Sequence, residues 1–252
     1  MAVAFGAGAA LSAPVAGAQS SLPGGSLGGE ACGEQIVTPS TLGASGWGTP
    51  DDETPATIEA VAEAPEDVGA AALIFGEQDA DKPGVSMYKD AGGMDLAELL
   101  SEDDELLLNF DYTADGQAPA LQIRLLDASV QGNEGETNGF ATITWSPDAG
   151  TGDWQSADAS ESDQFWVTRP VVDEDGGVVL PRQTRTTLAN IIDLNPDATI
   201  TGVGVQKTRE NAAESVAIDN FVFGCETTNF ELDPDGGSLG DIFGSVSGIF
   251  QS

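Results

Sequence analysis

The stretch ALQIRLLDASVQGNEGETNGFATITW, residues 120–145, decides the fold class. In its first part Leu121, Ile123 and Leu125 alternate with polar residues, and residues 141–145 repeat the same two-residue period. This period places every second side chain of an extended strand on one face. Asp, Asn and Gly, the usual turn residues, separate the two parts. The stretch therefore predicts two strands, each with one buried face.

Short β-rich runs bounded by Gly, Pro, Asp and Asn recur along the chain. The predicted strands are Ala71–Phe75, Val85–Tyr88, Leu106–Tyr112, Ala120–Leu126, Phe140–Trp145, Phe165–Thr168, Val178–Leu180, Ile200–Lys207 and Ser215–Phe223. Short helices are predicted at Asp95–Leu100 and at Thr187–Leu194, and Pro196 stops the second. Many short strands with few helices indicate an antiparallel sandwich or barrel. The absence of a repeat of roughly 20–50 residues argues against a solenoid or a propeller.

Composition limits the chemistry that the chain can perform. Its 252 residues include 42 acidic and 8 basic side chains, no histidine and two cysteines, and the net charge is −34. Without histidine, Ser-His-Asp and Cys-His catalysis and histidine-ligated zinc are excluded, and two cysteines alone do not hold an iron–sulfur cluster. A surface this acidic repels nucleic acid. The acidity indicates either solubility and adaptation to salt or heat, or carboxylates that converge on Ca²⁺.

The first residues predict export. Residues 1–18, MAVAFGAGAALSAPVAGA, carry no charge and end in Ala16-Gly17-Ala18 before Gln19. This pattern is typical of the apolar region and cleavage site of a secretory signal peptide, here with its basic n-region missing. A transmembrane anchor, the alternative, needs about 20 strongly apolar residues. We expect a secreted or extracellular protein, one that can associate with the cell surface, with no transmembrane span in the mature chain.

Gly/Ser-rich segments flank one predicted domain. Residues 19–30 form a linker, and the pentapeptide GGSLG at 24–28 returns at 236–240. The β-sandwich domain is therefore expected at 31–231, followed at 232–252 by a linker and an amphipathic tail.

The two cysteines, Cys32 and Cys225, lie at opposite ends of this domain. Disulfides persist outside the cytoplasm, so a bridge would tie the first segment of the domain to its last strand. Two free buried thiols are the alternative.

Between 69 and 224 the order of features resembles that of bacterial secreted domains with a jelly-roll fold like that of carbohydrate-binding modules. The matching pieces are, in order, GAAALIF, DLAELLSEDDELLLNFDYTA, APALQIRL, GFATITWSP, GDWQSADASESDQFWVTR, TTLANIIDLNPDATITGVGVQ and SVAIDNFVFG. The resemblance implies a jelly-roll sandwich and secretion. It carries no catalytic residues to this chain.

Three tryptophans are candidates for contact with a glycan, because an indole stacks well on a pyranose ring. Tryptophan is also an ordinary core residue of sandwiches. Trp145, in phase with Ile143, is predicted to be core. Trp154 follows a turn segment and is the first candidate ligand-binding residue. Trp166 is the second, on a strand whose outward face the sequence does not reveal.

Asp219 lies inside the last predicted strand, where a carboxylate needs a partner. In carbohydrate-binding jelly rolls an acidic residue of the corresponding strand joins an N-terminal oxygen ligand at a structural Ca²⁺. The resemblance thus implies that Asp219 and Glu34 are metal ligands. The alternative is a side chain that caps backbone N–H groups at a bend.

The sequence Glu161-Ser162-Asp163 comes closest to a catalytic motif. Glycosidases use two carboxylates, and alternate residues of a strand point to the same face. Jelly-roll glycosidases that resemble the laminarinase group have a third carboxylate where this chain has Trp166. In so acidic a chain the spacing arises by chance, so we predict no catalytic residue.

The C-terminal tail combines an apolar face with glycines every four residues. A helix over this segment would place six residues on one face: Leu239, Ile242, Phe243, Val246, Ile249 and Phe250. The pattern indicates a helix that docks on a partner, self-associates or lies on an envelope lipid layer. A helix folded back on the domain and a disordered tail are the alternatives.

The sequence therefore predicts an all-β, antiparallel sandwich of jelly-roll type with one or two short helices and an amphipathic C-terminal helical tail. We expect a secreted, non-catalytic binding or cell-surface-associated protein with a glycan as the favoured ligand class. It would require no cofactor, apart from a structural Ca²⁺, and would bind no nucleic acid. The alternatives are a carboxylate-dependent glycan hydrolase or lyase, and a structural envelope component assembled through its tail.

Overall fold

A computed structural model describes residues 33–61, 69–100, 107–132, 138–213 and 216–234. They lie in the unit Ala31–Ser252. Within these ranges no helix has the length and apolar character needed to cross a membrane.

The described chain consists mainly of short strands. They are β1 (Gly33–Val37), β2 (Trp47–Gly48), β3 (Thr54–Pro55), β4 (Thr57–Ala60), β5 (Ala71–Ile74), β6 (Gly84–Asp95), β7 (Leu108–Gly116), β8 (Ala120–Leu126), β9 (Ala141–Trp145), β10 (Gly150–Thr151), β11 (Gln155–Asp158), β12 (Trp166–Val167), β13 (Val171–Val172), β14 (Val178–Leu180), β15 (Thr199–Thr208), β16 (Val216–Phe223) and β17 (Glu226–Phe230). The helical elements are α1 (Leu188–Asp193) and two 3-10 helices, Gly43–Ser45 and Leu96–Leu100.

The first sheet is built around β16. One edge of β16 pairs with β7, and its other edge pairs with β5 in its first half and with β17 in its second half. Beyond these, β4 pairs with β5, β1 with β17, and β10 and β11 with β7. All pairs are antiparallel except β1 with β17, which are parallel. The first and last strands of the described chain are therefore neighbours.

The second sheet has the order β12-β9-β8-β15-β6-β2, and β3 adds to β6 in parallel. Strand β15 lies between β8 and β6 and pairs with both over most of its length. A separate hairpin is formed by β13 and β14.

Both sheets contribute to one hydrophobic core. Trp47 of the second sheet packs edge-on against Phe221 and Phe230 of the first, with ring centroids 5.4 and 5.1 Å apart. Edge-to-face pairs at such distances are favoured by the ring quadrupole. The two antiparallel sheets thus form an all-β, sandwich-like architecture.

The predicted all-β class is confirmed. Each of the nine predicted strands coincides with an observed strand, and Ala120–Leu126 and Val178–Leu180 match at both ends. The helix expected at Thr187–Leu194 is α1, and the one expected at Asp95–Leu100 is a 3-10 helix. Trp145 is buried, as expected.

Candidate functional site

On the second sheet, one row of residues runs across five neighbouring strands on the face turned away from the core. In register, the row is Trp166 of β12, Thr144 of β9, Gln122 of β8, Gly204 of β15 and Tyr88 of β6. Residues directly opposite one another share a face of a sheet. Four strand spacings of ~4.8 Å separate the two aromatic residues by roughly 19 Å. The face therefore carries an aromatic side chain at each end and polar or small residues between them.

A chain of hydrogen bonds fixes the polar groups beside this row. Tyr88 Oη donates to Gln122 Oε1 (2.6 Å), and Gln122 Nε2 donates to Gln206 Oε1 (2.9 Å). Gln206 Nε2 in turn donates to Glu53 Oε2 (2.8 Å), which comes from the segment before β3. All four residues are buried. A buried network whose members are linked in this way holds each group in one orientation.

The hydroxyl of Tyr88 stays protonated in this network. Burial is the main cause that raises the pKa of Tyr88, and the Glu53 carboxylate raises it further. The nearby Arg124 guanidinium lowers the pKa, but it does not outweigh burial, so the neutral form dominates. Tyr88 therefore acts as a hydrogen-bond donor.

Arg124 lies two positions after Gln122 on β8, on the same face. Its guanidinium carbon is 5.1 Å from the ring centroid of Tyr88 and 5.2 Å from that of Phe140. Its NH1 nitrogen is 3.6 Å from Glu53 Oε1, which is too long for a hydrogen bond. Among the described residues this nitrogen has no hydrogen-bond acceptor. Rings that cover the faces of a guanidinium leave its in-plane N–H groups for other partners.

An open groove of about 340 Å³ lies beside Arg124. Tyr88, Lys89, Asp90 and Thr201 contribute to its walls, together with glycines of β15 and of the segment around β2. Its volume falls within the usual range of small-ligand sites. A second open groove, of about 410 Å³, lies beside Gln206 and next to Arg209, at the far end of the network.

Trp166 stands half-buried at the other end of the row, on the edge strand β12. The guanidinium carbon of Arg185 lies 5.8 Å from its ring centroid, and Arg185 NH1 donates to the Gln164 carbonyl (2.7 Å). This end of the row is therefore also an aromatic ring beside an arginine.

Trp154, the other predicted ligand-binding residue, does not belong to the row. It directly precedes β11, which pairs with β7 in the first sheet, and it is half-buried. Trp166 thus lies on an edge strand of the second sheet, and Trp154 lies just before an edge strand of the first. A ligand contact at Trp154 stays a prediction.

Asp219 is fully buried at an irregularity of β16. Its Oδ1 accepts a hydrogen bond from the Phe230 N–H (2.7 Å), and its Oδ2 has no hydrogen-bond partner in the described chain. Burial raises the pKa of Asp219 to about 7, against the lowering effect of the backbone N–H groups of Phe230 and Asn220. The register of β16 with β7 shifts directly after Asp219, and Asn220 has a φ of 48°. Asp219 thus contacts backbone N–H groups at a bend of β16, as expected if it caps the backbone and does not bind a metal ion.

Glu34, the proposed second metal ligand, is exposed on β1, and its Oε1 accepts a hydrogen bond from Asn229 Nδ2 (3.1 Å). In the described ranges no three His, Cys, Asp or Glu side chains form a group that could hold a metal ion. The calcium prediction for Glu34 and Asp219 stays a prediction.

Glu161 and Asp163 are exposed and lie on a turn, whereas a catalytic pair would have required them on a strand. Ser162 between them accepts hydrogen bonds from Trp145 Nε1 (2.8 Å) and from the Gln164 N–H (3.1 Å). These bonds anchor the turn to the core. The strand geometry that would direct both carboxylates into one groove is not formed.

The remaining predicted features reach the edge of the described chain or lie beyond it. The N–H of Gly33 donates to the carbonyl of Cys225 (3.2 Å), and Cys225 is not a free thiol. Cys32, the signal peptide and linker at 1–30 and the tail residues after 234 lie outside the described residues. The tail residues outside the described chain include the six apolar positions Leu239, Ile242, Phe243, Val246, Ile249 and Phe250.

No family model matches this chain, and neither a curated protein nor a solved structure matches it. The resemblance to carbohydrate-binding jelly-roll domains therefore stays a prediction.

Sequence reasoning missed the roles of Tyr88, Arg124 and Glu53. The two-residue period already placed Gln122 and Arg124 together on the polar face of their strand. The register between strands aligns Tyr88 with Gln122 and Trp166, and it cannot be predicted from the residue pattern of any single strand.

Proposed function

We propose that the protein is a secreted, non-catalytic binding or cell-surface-associated protein that holds a glycan on the outward face of its second sheet. The observation that carries this proposal is the row from Trp166 to Tyr88, with its fixed polar network. An oligosaccharide offers apolar ring faces that stack on aromatic side chains. It also offers hydroxyl groups that accept hydrogen bonds, for which the guanidinium groups of the partly exposed Arg124 and the exposed Arg185 are suitable partners. The buried network of Tyr88, Gln122 and Gln206 keeps the sheet beneath them in place.

The connectivity supports the jelly-roll assignment that the resemblance implies. Eight strands taken in chain order, β5, β6, β7, β8, β9, β11, β15 and β16, divide between the sheets. In the first sheet their spatial order is β5-β16-β7-β11, and in the second it is β6-β15-β8-β9. Two facing four-stranded sheets linked in this order correspond to a jelly roll.

Secretion is supported by the signal-like sequence of residues 1–18. The Cys32–Cys225 bridge is supported by the hydrogen bond between Gly33 and Cys225, since Gly33 directly follows Cys32. A disulfide at this position would fasten β1 to β17 in an oxidising compartment.

Co-sedimentation of the exported protein with a panel of insoluble glycans and with bacterial envelopes tests the proposal. We expect depletion by particular glycans, at least tenfold weaker in the Trp166→Ala variant. Trp154→Ala removes the same indole beside the edge of the other sheet. Retained binding in this variant would assign the ligand to the Trp166 row, whereas loss in Trp154→Ala alone would overturn that assignment in favour of the predicted contact at Trp154. Circular dichroism of each variant checks that the fold is kept.

A variant that ends at Gly237 separates the glycan proposal from assembly through the tail. Glycan binding should persist without residues 238–252. Depletion by envelopes alone, abolished in the shortened variant, would overturn the glycan proposal and make the tail the functional element. A hydrolase gains no support from Glu161 and Asp163, and release of reducing sugar from any glycan of the panel would contradict the non-catalytic assignment.

A further inference from the structure

Among the described strands, lysine and arginine occur only on the second sheet. The described strands of the first sheet carry acidic residues without any Lys or Arg: Glu34, Glu59, Asp111, Asp115, Asp158, Asp219 and Glu226. The strands of the second sheet carry Lys89, Arg124 and Lys207 beside Asp90 and Asp95. In a chain of net charge −34, basic residues gathered in this way make the second sheet the less negative side.

We infer that the groove beside Arg124 binds the carboxylate of an acidic glycan, a polysaccharide that contains uronic acid residues. The inference rests on the proposed glycan-binding function and specifies its ligand class. Its basis is the placement of Arg124, with a partly exposed side chain, in an open groove on this sheet.

The geometry of Arg124 suits a carboxylate. A guanidinium is a planar fork whose N–H groups match the two oxygens of a carboxylate. The rings of Tyr88 and Phe140 hold the Arg124 side chain in place, which reduces the entropy that it loses when a ligand binds. The side chain is 21% exposed, so part of it reaches the solvent of the groove.

The internal partner of Arg124 leaves hydrogen-bonding capacity unused. Glu53 Oε1 is 3.6 Å from Arg124 NH1, and Glu53 Oε2 is engaged by Gln206. NH1 donates no hydrogen bond to any described residue. NH1 itself is buried, so a ligand in the groove reaches Arg124 through the exposed part of its side chain.

Two further residues with charged side chains line the groove. Lys89 contacts the carboxylate of Glu226 and lies 3.4 Å from Gln35 Oε1, so its ammonium group is held at the first sheet and is not directed at the ligand. Asp90 opposes an acidic ligand, but its Oδ1 accepts the N–H of Gly92 (2.8 Å) and its side chain is exposed to screening solvent.

The net charge of the molecule sets the conditions of the test. At about 0.15 M salt the Debye length is about 8 Å, so repulsion from the distant acidic sheet is largely screened. A contact between a guanidinium and a carboxylate acts over a few ångström and persists. The affinity of wild-type protein is therefore measured at this ionic strength.

The test compares polygalacturonic acid with its fully methyl-esterified form, in which the same chain is neutral. By affinity electrophoresis and calorimetry we expect the exported protein to bind the acid at least tenfold more tightly than the ester.

Variants test whether Arg124 causes this preference. Arg124→Gln should bring the ratio of the two affinities close to one. Arg182→Gln removes the same charge from an exposed position after β14 and should keep the ratio. Arg124→Lys, which retains the charge without the fork, should give an intermediate ratio and provides a second variant if Arg124→Gln is unstable.

The outcomes separate the inference from the proposed function. Equal affinity for the two polymers, or binding of neutral glycans alone from a panel that also contains alginate and hyaluronan, overturns the inference and leaves glycan binding intact. Failure to bind any glycan of the panel overturns both. A tenfold preference that survives in Arg124→Gln overturns the assignment to this groove.

Discussion

A single buried carboxyl, Asp219, joins the strands β16 and β17. It receives the N–H of Phe230, the last residue of β17, while its other oxygen has no described hydrogen-bond partner. Ionising a group in such a place requires that a charge be removed from water. The protonation state of Asp219 therefore influences how firmly β17 is held.

Protonation of Asp219 makes the stability of the domain depend on pH. Its pKa is raised to about 7 from an ordinary value of 3.8, so the folded state binds the proton more tightly than the unfolded state. The resulting stabilisation is fully present below about pH 4 and is lost as the pH rises through 7, by up to about 4 kcal/mol. Asp219→Asn keeps a neutral side chain at every pH. Its free energy of unfolding should rise relative to wild type between pH 4 and 8 in urea titrations.

The comparison needs a control because other carboxylates also titrate in this range. Asp163→Asn removes an exposed carboxylate on a turn and measures the effect of losing a surface charge over the same pH range. Curves for Asp219→Asn and wild type that run parallel from pH 4 to 8 would show that the Asp219 proton is not linked to folding.

At the scale of single elements, the glycines of β15 allow close pairing with β6. A Cβ added to Gly204 would come within 2.6 Å of Tyr88 Cα and would collide with the Met87 carbonyl oxygen. Gly48, on the other side of Tyr88 in the same row, has open space at its Cβ position.

Gly204→Ala should therefore be costly and Gly48→Ala should not. Forcing extra volume into a packed element costs about 1–3 kcal/mol, whereas a surface change without contacts stays within about 0.5 kcal/mol. Chemical unfolding of both variants measures the difference. Equal stability of the two would mean that β15 can move away from β6 without loss.

The stability of the short helix α1 depends on its N-cap residue, Thr187. The hydroxyl of Thr187 accepts the N–H of Asn190 (3.2 Å), which satisfies one of the free donors at the helix start. Thr187→Ala should lower the free energy of unfolding by about 1 kcal/mol, and Thr187→Ser should restore most of it. Thermal denaturation of both variants checks this, and a Ser variant as unstable as the Ala variant would point to the methyl group instead.

How far an element could be predicted from sequence depends on where its stabilisation lies. Strand β8 was predicted at both ends because its alternate residues are buried against the core. Strands β1 and β17 were missed, since GEQIV and ETTNF carry little apolar periodicity and are held by pairing with each other. The site was missed for a related reason. Glu53 reaches Gln206 across more than 150 positions of chain, and only the assembled sheet brings them together.

At the scale of the whole molecule, like charges repel throughout the acidic surface. A net charge of −34 destabilises the compact state through self-repulsion, which dissolved ions screen. The Debye length falls from about 30 Å at 0.01 M to about 3 Å at 1 M salt. We expect the melting temperature to rise steadily over this range of NaCl, and a flat response would show that repulsion contributes little.

Calcium chloride at matched ionic strength tests the predicted Ca²⁺ site in the same assay. Equal shifts from the two salts would count against a site formed by Asp219 and Glu34, whose carboxylates contact Phe230 and Asn229. A larger shift from millimolar Ca²⁺ would indicate specific binding to the folded state, since a ligand that binds only the native form stabilises it. Loss of the additional shift in Asp219→Asn would assign that site to Asp219.

The position of β15 and β16 in the chain has a consequence for the timing of folding. Each is the central strand of its sheet, yet both come from residues 199–223, near the end of the sequence. Strands β5, β6, β7 and β8 therefore each lack a neighbour until residues 199–223 have been made. Contacts so distant in sequence also form slowly. Until β15 and β16 are synthesised, the strand edges that they will cover are open to pairing with other chains, which makes a nascent chain of this topology a substrate for chaperones.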